Sequence, residues 1–487
     1  VTTTDASGRY AFPRVTPGDY TLRVEMSGFR HVTIAGLRLA VNDAVTNDVV
    51  LPPGSLAESV TVSAPAGVQT RAGGVSLGVD GRNLEALPLN GRDWTRLTLL
   101  APGAGATASA PVSGVRFSYN STTVDGVGIN NERSADPLAG ASPYSGPGLF
   151  STEAIQEFRV ITSNADATFG RGSGAQVNVI TKSGSNALRG SAYEFLRHDR
   201  LDARDFFNTG PFFDAAGRAD VPPFEQHLFG VTAGGPLQRN RHFVFGSYEG
   251  FRQERQATSG FTFPNSDLIT LMPGDLGRFY RTYYLDRGLV STTTGPGEFR
   301  PLTTADRAAA VAAGFPSRLF DGDAANGEAG TLLQSTTSPQ NVVHDAVFLR
   351  TDSVLRGSWR ASVRFNDTRT RQTGPQFTLG SPIDLAIETR DSTTTTAELV
   401  GALSPSQLLE VRGSFTRASY LTPPADGVGD PFRAIGVRDD LGILVTPAGT
   451  GLNSAGFVGT SSFLDRQDIP QLSVLHTWQR GRLTLRS

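Results

Sequence analysis

The chain has 487 residues, a formal net charge of -2, no cysteine and a single lysine, Lys182, so that 43 of its 44 basic residues are arginine. The length admits several domains, the near-zero charge offers no electrostatic case for nucleic acid, and the absence of cysteine suits a protein outside the cytoplasm that uses no disulfides. No apolar run approaches the roughly 20 residues of a membrane-spanning helix, which excludes a helical membrane protein but leaves a membrane β-barrel open, because short alternating strands disperse that signal.

Residues Val1 to Pro52 read as a small β-sandwich. Strands are predicted at Gly8–Phe12, Gly18–Met26, Arg30–Ile34 and Asn47–Leu51, with turns at Ser7-Gly8, Pro17-Gly18 and Ser27-Gly28. Tyr10, Phe12 and Tyr20 are the expected core. The next segment, Leu56 to Ala64, is β-prone, with Val60 and Val62 in alternation. It reads either as the last strand of the sandwich plus a linker, or as an extended segment able to add to a partner's sheet edge.

Val68 to Gly184 reads as a compact α+β unit. Asn90-Gly91 is a turn, Asp93 is placed to cap a short helix with Trp94, Leu97 and Leu100 on its inner face, and Pro102-Gly103 ends it. Arg92 reads either as the partner of a carboxylate in the C-terminal run of strands or as a solvated side chain. Ser121 to Val127 is a strand and turn, and 128–150, rich in Gly, Pro, Ser and Asn, is a loop. Ser151 to Arg197 joins this unit to the C-terminal run of strands. It holds a helix-like turn with Ile155 and Phe158 on one face, a β-run Phe158–Thr162, the glycines Gly170, Gly172 and Gly174, a β-run Gln176–Thr181, and a third run carrying Tyr193 and Phe195.

From Ala187 onward strands alternate with connections. Strands are predicted at Leu188–Arg197, Gln226–Gly234, His242–Arg255, His344–Leu355, Ser358–Arg371, Thr389–Leu403, Gln407–Leu421 and Asp468–Arg480, and another opens at Arg482. Tight turns at Pro236–Asn240, Arg356-Gly357, Ser404–Ser406 and Gly481 take strict turns with long connections at Asp199–Glu225, Gln256–Val343, Gln372–Glu388 and Thr422–Gln467. Outer-membrane barrels have this rhythm, with short turns on one side and long loops on the other. Trp359, Ala361, Val363 and Phe365 alternate with Ser358, Arg360, Ser362 and Arg364. Leu409, Val411 and Phe415, then Leu472, Val474 and Trp478, alternate with polar neighbours in the same way. One face suits lipid and the other suits water or a packed domain. A soluble sandwich with one wet face has the same period, and the faces of His242–Arg255 are not assignable from sequence.

No catalytic constellation is legible. His31, His198, His227, His242, His344 and His476 are scattered, without metal-ligand spacing. Gly170-Arg171-Gly172-Ser173-Gly174 has the glycines of a phosphate loop but no helix pattern behind it, so turn glycines are the better reading. No Ser sits in a nucleophile elbow, and no carboxylate pair is placed for acid–base work. The expectation is a protein that is not an enzyme and carries no cofactor or metal. Residues 303–313 read as a short helix within the longest loop.

Four strings carry a resemblance. Glu153-Ala154-Ile155-Gln156-Glu157-Phe158, Phe169-Gly170-Arg171-Gly172 and Val177-Asn178-Val179-Ile180-Thr181-Lys182-Ser183-Gly184 succeed one another in the order seen at the end of the plug domain of TonB-dependent outer-membrane receptors. Leu87-Pro88-Leu89-Asn90-Gly91-Arg92 with Pro102-Gly103 resembles the plug of the Oar-like branch of that family. That branch carries a carboxypeptidase-regulatory-like domain in front, and Asp5 to Phe12, Val15 to Tyr20 and Gly28-Phe29 are similar to that fold.

The resemblance implies a mainly β protein: an N-terminal β-sandwich (1–55), a TonB-box linker (56–67), an α+β plug (68–186), and the first part of a 22-stranded antiparallel transmembrane β-barrel (187–487). It implies an outer-membrane location, with the sandwich and plug on the periplasmic side. The first wall strand then runs outward, so the first connection should be long, as it is. The TonB box is expected at Glu58, Ser59, Val60, Thr61 and Val62, and ligand-facing plug positions at Asn130, Asn131, Arg133 and Tyr144. Implied partners are TonB with its inner-membrane motor proteins, an unknown small solute or oligomer, and outer-membrane lipid. The nine predicted strands could not enclose such a plug, since a barrel of about eight strands holds only its own side chains. Left open, their edges would leave backbone groups unpaired at several kcal/mol each. Most of the wall is therefore expected beyond Ser487; Val1 to Tyr10 look like neither a signal peptide nor a domain start, and Thr477 to Ser487 stop inside a strand pattern, so further chain is expected at both ends. Uptake of a solute driven by the proton-motive force is the first expectation. A surface adhesin or polymer-handling barrel, and a periplasmic carbohydrate-binding accessory protein, are the alternatives.

Overall fold

The computed structural model describes residues 18–39, 47–54, 59–63, 75–105, 119–130, 150–203, 223–264, 331–375, 385–422, 463–480 and 483–486, except 88, 166–169, 171 and 405, together with isolated positions elsewhere. Three sheets account for its strands.

The first sheet has the order β1-β2-β3: β1 is Gly18–Val24, β2 is His31–Leu39 and β3 is Ser59–Ser63. β1 and β2 are antiparallel, whereas β3 runs parallel to β2. Val32 and Ile34 of β2 are buried. Two expectations are corrected here. Asn47–Leu51 forms no strand; the chain instead returns beside β2 through a bridge between Phe29 and Pro53. Phe12 is exposed, resting edge-on against Tyr10, whose hydroxyl donates to the Asn47 carbonyl at 2.7 Å.

The second sheet has the order β4-β7-β8-β5-β6, with β4 Ser76–Asp80, β5 Ser121–Val124, β6 Val127–Gly128, β7 Ile155–Ile161 and β8 Gln176–Thr181. Between β4 and β5 lie α1, Gly81–Ala86, and a 3-10 turn, Trp94–Leu100. Asp80 caps α1 through Asn83 N at 2.9 Å, and Asp93 caps the 3-10 turn through Thr95 N at 3.0 Å. Trp94 and Leu97 are fully buried with Leu84, Ile155, Phe158, Val160 and Val179. Leu100 is exposed, against expectation: the chain turns extended at Ala101, and Ala101 occupies the core instead. Ile155 and Phe158 do share the buried face, but within a strand rather than a helical turn. A register shift between Ile155 and Glu157 adds the residue that brings positions three apart to one side. Gly172 and Gly174 lie against the backbone of Tyr119, where any Cβ would collide, so they serve close chain approach.

The third sheet is a nine-stranded antiparallel meander in sequence order: β9 Arg189–His198, β10 Phe224–Gln238, β11 His242–Pro264, β12 Thr331–Val354, β13 Arg360–Pro375, β14 Leu385–Ser404, β15 Gln407–Thr422, β16 Phe463–Arg480 and β17 Leu483–Arg486. These are the nine predicted strands, most of them longer than expected at the end of the long loops. β9 and β17 are its edges among the described residues. The chain enters β9 beside the β10–β11 turn, where Asn186 Nδ2 donates to Asn240 Oδ1 at 2.6 Å, so the short turns gather at the entry end.

The two faces of this wall are inverted relative to a soluble sheet. Arg364, Asn366, Thr368 and Thr370 of β13 are buried, while the neighbouring Val363 and Phe365 are 48% and 36% exposed. Thr396 and Thr416 are buried, while Leu399, Phe415, Leu472 and Val474 are exposed. A soluble sandwich turns its apolar face inward; this wall turns it outward, as lipid requires. In β11 the faces are resolved: Phe245, Ser247, Glu249 and Phe251 are buried, and Tyr248 and Arg252 lie on the other side. Sequence could not show this because the inner face there carries phenylalanines. No helix among the described residues is long and apolar enough to cross a membrane.

Candidate functional site

The second sheet packs against the inner face of the wall. The contact is built around one hairpin. Asp125 and Gly126 link β5 to β6, with φ of 47° and 80°. Such a two-residue turn needs the left-handed region at both positions, which Asp-Gly tolerates. The Asp125 carboxylate thereby faces away from its own strand ends and toward the wall.

Four wall strands hold that hairpin. Arg364 of β13 donates to the Asp125 carboxylate and to the Val124 carbonyl. Arg350 of β12 lies 3.5 Å from Asp125 Oδ1 and donates to Thr181 O and Oγ1 at 3.0 and 2.9 Å, while Asp352 orients its other edge at 2.8 Å. Arg412 of β15 donates to Gly126 O at 3.0 Å and is itself held by Glu398 at 2.7 Å. Gln471 of β16 bonds both backbone groups of Gly128. Within the second sheet, Thr181 N and Oγ1 donate to Asp125 at 3.1 and 2.7 Å. Burial alone would raise the Asp125 carboxyl, but Arg364, Arg350 and the Thr181 donors together hold it below the usual carboxylate range. Arg364 Nη2 and Arg412 Nε are buried without a hydrogen-bond partner among the described residues.

A second cluster sits toward β9. Arg92 is buried, donates to Glu153 Oε1 at 2.6 Å, and stacks its guanidinium over Phe195 of the wall at 4.7 Å. Its carboxylate partner therefore belongs to its own unit, and its wall contact is aromatic. Burial and the neighbouring Glu85 push the Glu153 carboxyl up, opposed by Arg92. Lys182, the single lysine, pairs with Glu85 at 2.5 Å. Ser151 Oγ lies 2.6 Å from the Tyr193 hydroxyl, which donates to the fully buried Glu249 at 2.6 Å. Phe150 stacks on Trp94 and meets Phe348 of β12, so one apolar core crosses the contact.

Of the predicted site residues, Ser59 to Val62 lie in β3, and Glu58 lies outside the described residues. Asn130 is buried, its Oδ1 accepting from Thr122 N at 2.8 Å and its Nδ2 donating to Asn120 O at 3.1 Å, so it anchors the base of the loop that leaves β6. Asn131, Arg133 and Tyr144 lie outside the described residues, as does 303–313. Sequence reasoning missed the residues that grip the hairpin. Alternation marks Arg364 and Arg412 only as polar-face positions and gives no sign of Arg350. Among the described residues no group of His, Asp and Glu is placed to hold a metal.

Comparison with known proteins agrees with this architecture. Residues 1–52 match the carboxypeptidase regulatory-like domain, and residues 180–486 match the outer membrane beta barrel domain. The TonB-dependent transporter Oar of Myxococcus xanthus is 29% identical over 261 residues, which are 50% of this chain and 23% of that transporter. The outer membrane transporter YddB of Escherichia coli shares the fold with a TM-score of 0.50 at 10% identity, covering 84% of this chain and 46% of that one. The chain thus spans less than half the length of either relative. Both relatives are transporters rather than enzymes. With an inverted wall, a regulatory-like domain in front and the family's pattern matched over 180–486, the chain belongs to the outer membrane beta barrel domain family and resides in the outer membrane.

Proposed function

We propose that the chain is part of a TonB-coupled receptor that moves a solute across the outer membrane, with residues 68–186 as its plug and 187–487 as part of a 22-stranded wall. The observation that carries this reading is the folded second sheet held on the polar inner face of a wall whose outer face is apolar. A barrel that merely displayed adhesive loops would have no use for a stopper anchored by side chains of four wall strands. Direct ion pairs and a Gln–backbone pair are also suited to release, because each can be exchanged for water once the hairpin moves.

In this reading the sandwich and plug face the periplasm, the long connections face outward, and the loop with Asn131, Arg133 and Tyr144 meets the solute from below. Glu58 to Val62 would be gripped by TonB, driven by its motor proteins and the proton-motive force. No bond of the solute is broken. Cells carrying the full-length protein, or the same protein lacking 58–62, are compared for depletion of solutes from defined medium, with and without an uncoupler. Depletion that requires both the segment and the proton gradient is expected. Depletion indifferent to both would move the reading to a surface adhesin or polymer-handling barrel.

A further inference from the structure

The charges at the hairpin contact are divided unequally between its two sides. The wall contributes Arg350, Arg364 and Arg412 with the carboxylates of Asp352 and Glu398, and the hairpin contributes Asp125. These six side chains balance only with Asp125 in place; the wall members alone carry one surplus positive charge. That surplus rests on Arg364. Asp352 holds Arg350 at 2.8 Å and Glu398 holds Arg412 at 2.7 Å, and both pairs lie within the wall, whereas Arg364 is paired across the contact with Asp125. Arg364 also uses Nη1 alone, for both the Asp125 carboxylate and the Val124 carbonyl. Its Nη2 is buried without an acceptor among the described residues. A guanidinium presents a fork that matches two oxygens of a carboxylate or phosphate, and here one prong is unused.

We infer that the solute passing this contact is an anion, and that its carboxylate or phosphate group takes the place of Asp125 on Arg364. This rests on the reading of 68–186 as a plug whose hairpin leaves the wall. Water that enters as the hairpin withdraws solvates the guanidinium but brings no counter-charge. An oxyanion brings both acceptors and charge, and with two oxygens it fills Nη1 and Nη2 where Asp125 fills one. A neutral solute gains no such pairing, and a cation is repelled. Arg350 and Arg412, matched by carboxylates of the wall itself, add no net charge. Arg364 is therefore the position that sets the sign of the solute.

Inorganic phosphate is the probe. Hydrogen exchange of 121–128 is followed in the detergent-solubilised full-length protein as phosphate replaces chloride at constant ionic strength, with the β7 amides as the reference. An anion that binds only the open hairpin raises the open population by a factor of 1 + [L]/Kd, so exchange of 121–128 should rise linearly with phosphate, about threefold when phosphate reaches twice its Kd. Exchange in β7 should not follow it. Asp125→Asn and Arg364→Gln break the same pair, and both should speed exchange without phosphate. Asp125→Asn keeps the seat and should keep the phosphate response; Arg364→Gln should lose it. A flat response in the parent and in Asp125→Asn overturns the seat, and an equal response in all three proteins overturns the role of Arg364. Solutes depleted from defined medium should be anions, and depletion of neutral or cationic solutes alone overturns the preference. Depletion indifferent to the proton gradient, with the phosphate response intact, sinks the plug reading while the seat on Arg364 stands.

Discussion

Gln471 of β16 meets Gly128 of β6 with both ends of its side-chain amide: Nε2 donates to the Gly128 carbonyl at 2.8 Å, and Oε1 accepts from Gly128 N at 3.3 Å. One wall side chain thus completes the edge of the second sheet, as another strand would. Each such bond contributes about 0.5–1.5 kcal/mol net. Gln471→Leu should therefore loosen the hairpin by roughly 1–3 kcal/mol, seen as faster hydrogen exchange of 121–128 in the detergent-solubilised protein. Unchanged exchange would show that the amide is not a fastening.

Asp125 is the acid that the hairpin itself presents to Arg350 and Arg364. Asp125→Asn leaves both arginines facing a neutral group, and breaking a buried pair of this kind costs about 3–5 kcal/mol. The same substitution should expose 121–128 to protease in the folded protein. Wild-type cleavage rates would contradict the fastening role.

The depressed Asp125 carboxyl sets the sign of the pH dependence. A group whose folded value lies below its unfolded value, about 3.9, contributes stability that is fully present above that value and lost as pH falls through the folded one. Attachment of the hairpin should hold at neutral pH and weaken only in strong acid. Asp125→Asn should remove that acid limb, which exchange measured across a pH series can track.

Gly126 and Gly128 make a matched pair. Gly126 has φ of 80° and its side-chain position is filled by the Arg412 guanidinium, whereas a Cβ on Gly128 would meet only Gln471 Oε1 at 3.6 Å. Gly126→Ala should cost about 1–2 kcal/mol from the left-handed backbone alone, plus the displaced arginine. Gly128→Ala should be nearly silent when the two variants are compared by chemical denaturation. Equal effects would mean that neither the left-handed turn nor the Arg412 contact limits the hairpin.

The outward apolar face is tested at Val363. An arginine in the lipid-facing band costs up to about 2–4 kcal/mol, depending on depth. Val363→Arg should shift the folding equilibrium into vesicles by that order, while Ser362→Ala on the opposite face should not. Insensitivity of Val363 would argue that this face does not meet lipid.

The nine wall strands and their order were legible in the residues alone, because period-two alternation, turn residues and connection lengths are local properties of the chain. So were the Val-Asp-Gly-Val turn and the core pair Trp94 and Leu97. Which face of the wall is buried was not, since alternation has the same period whether the apolar side meets lipid or a core; only the exposure of Val363 beside buried Arg364 decides that. Nor was the grip on Asp125, whose partners lie more than two hundred residues further along and come together only when successive strands align in register. The parallel pairing of β3 with β2 is of the same kind: a short run of valines is equally ready for either neighbour, and the fold alone chooses between them.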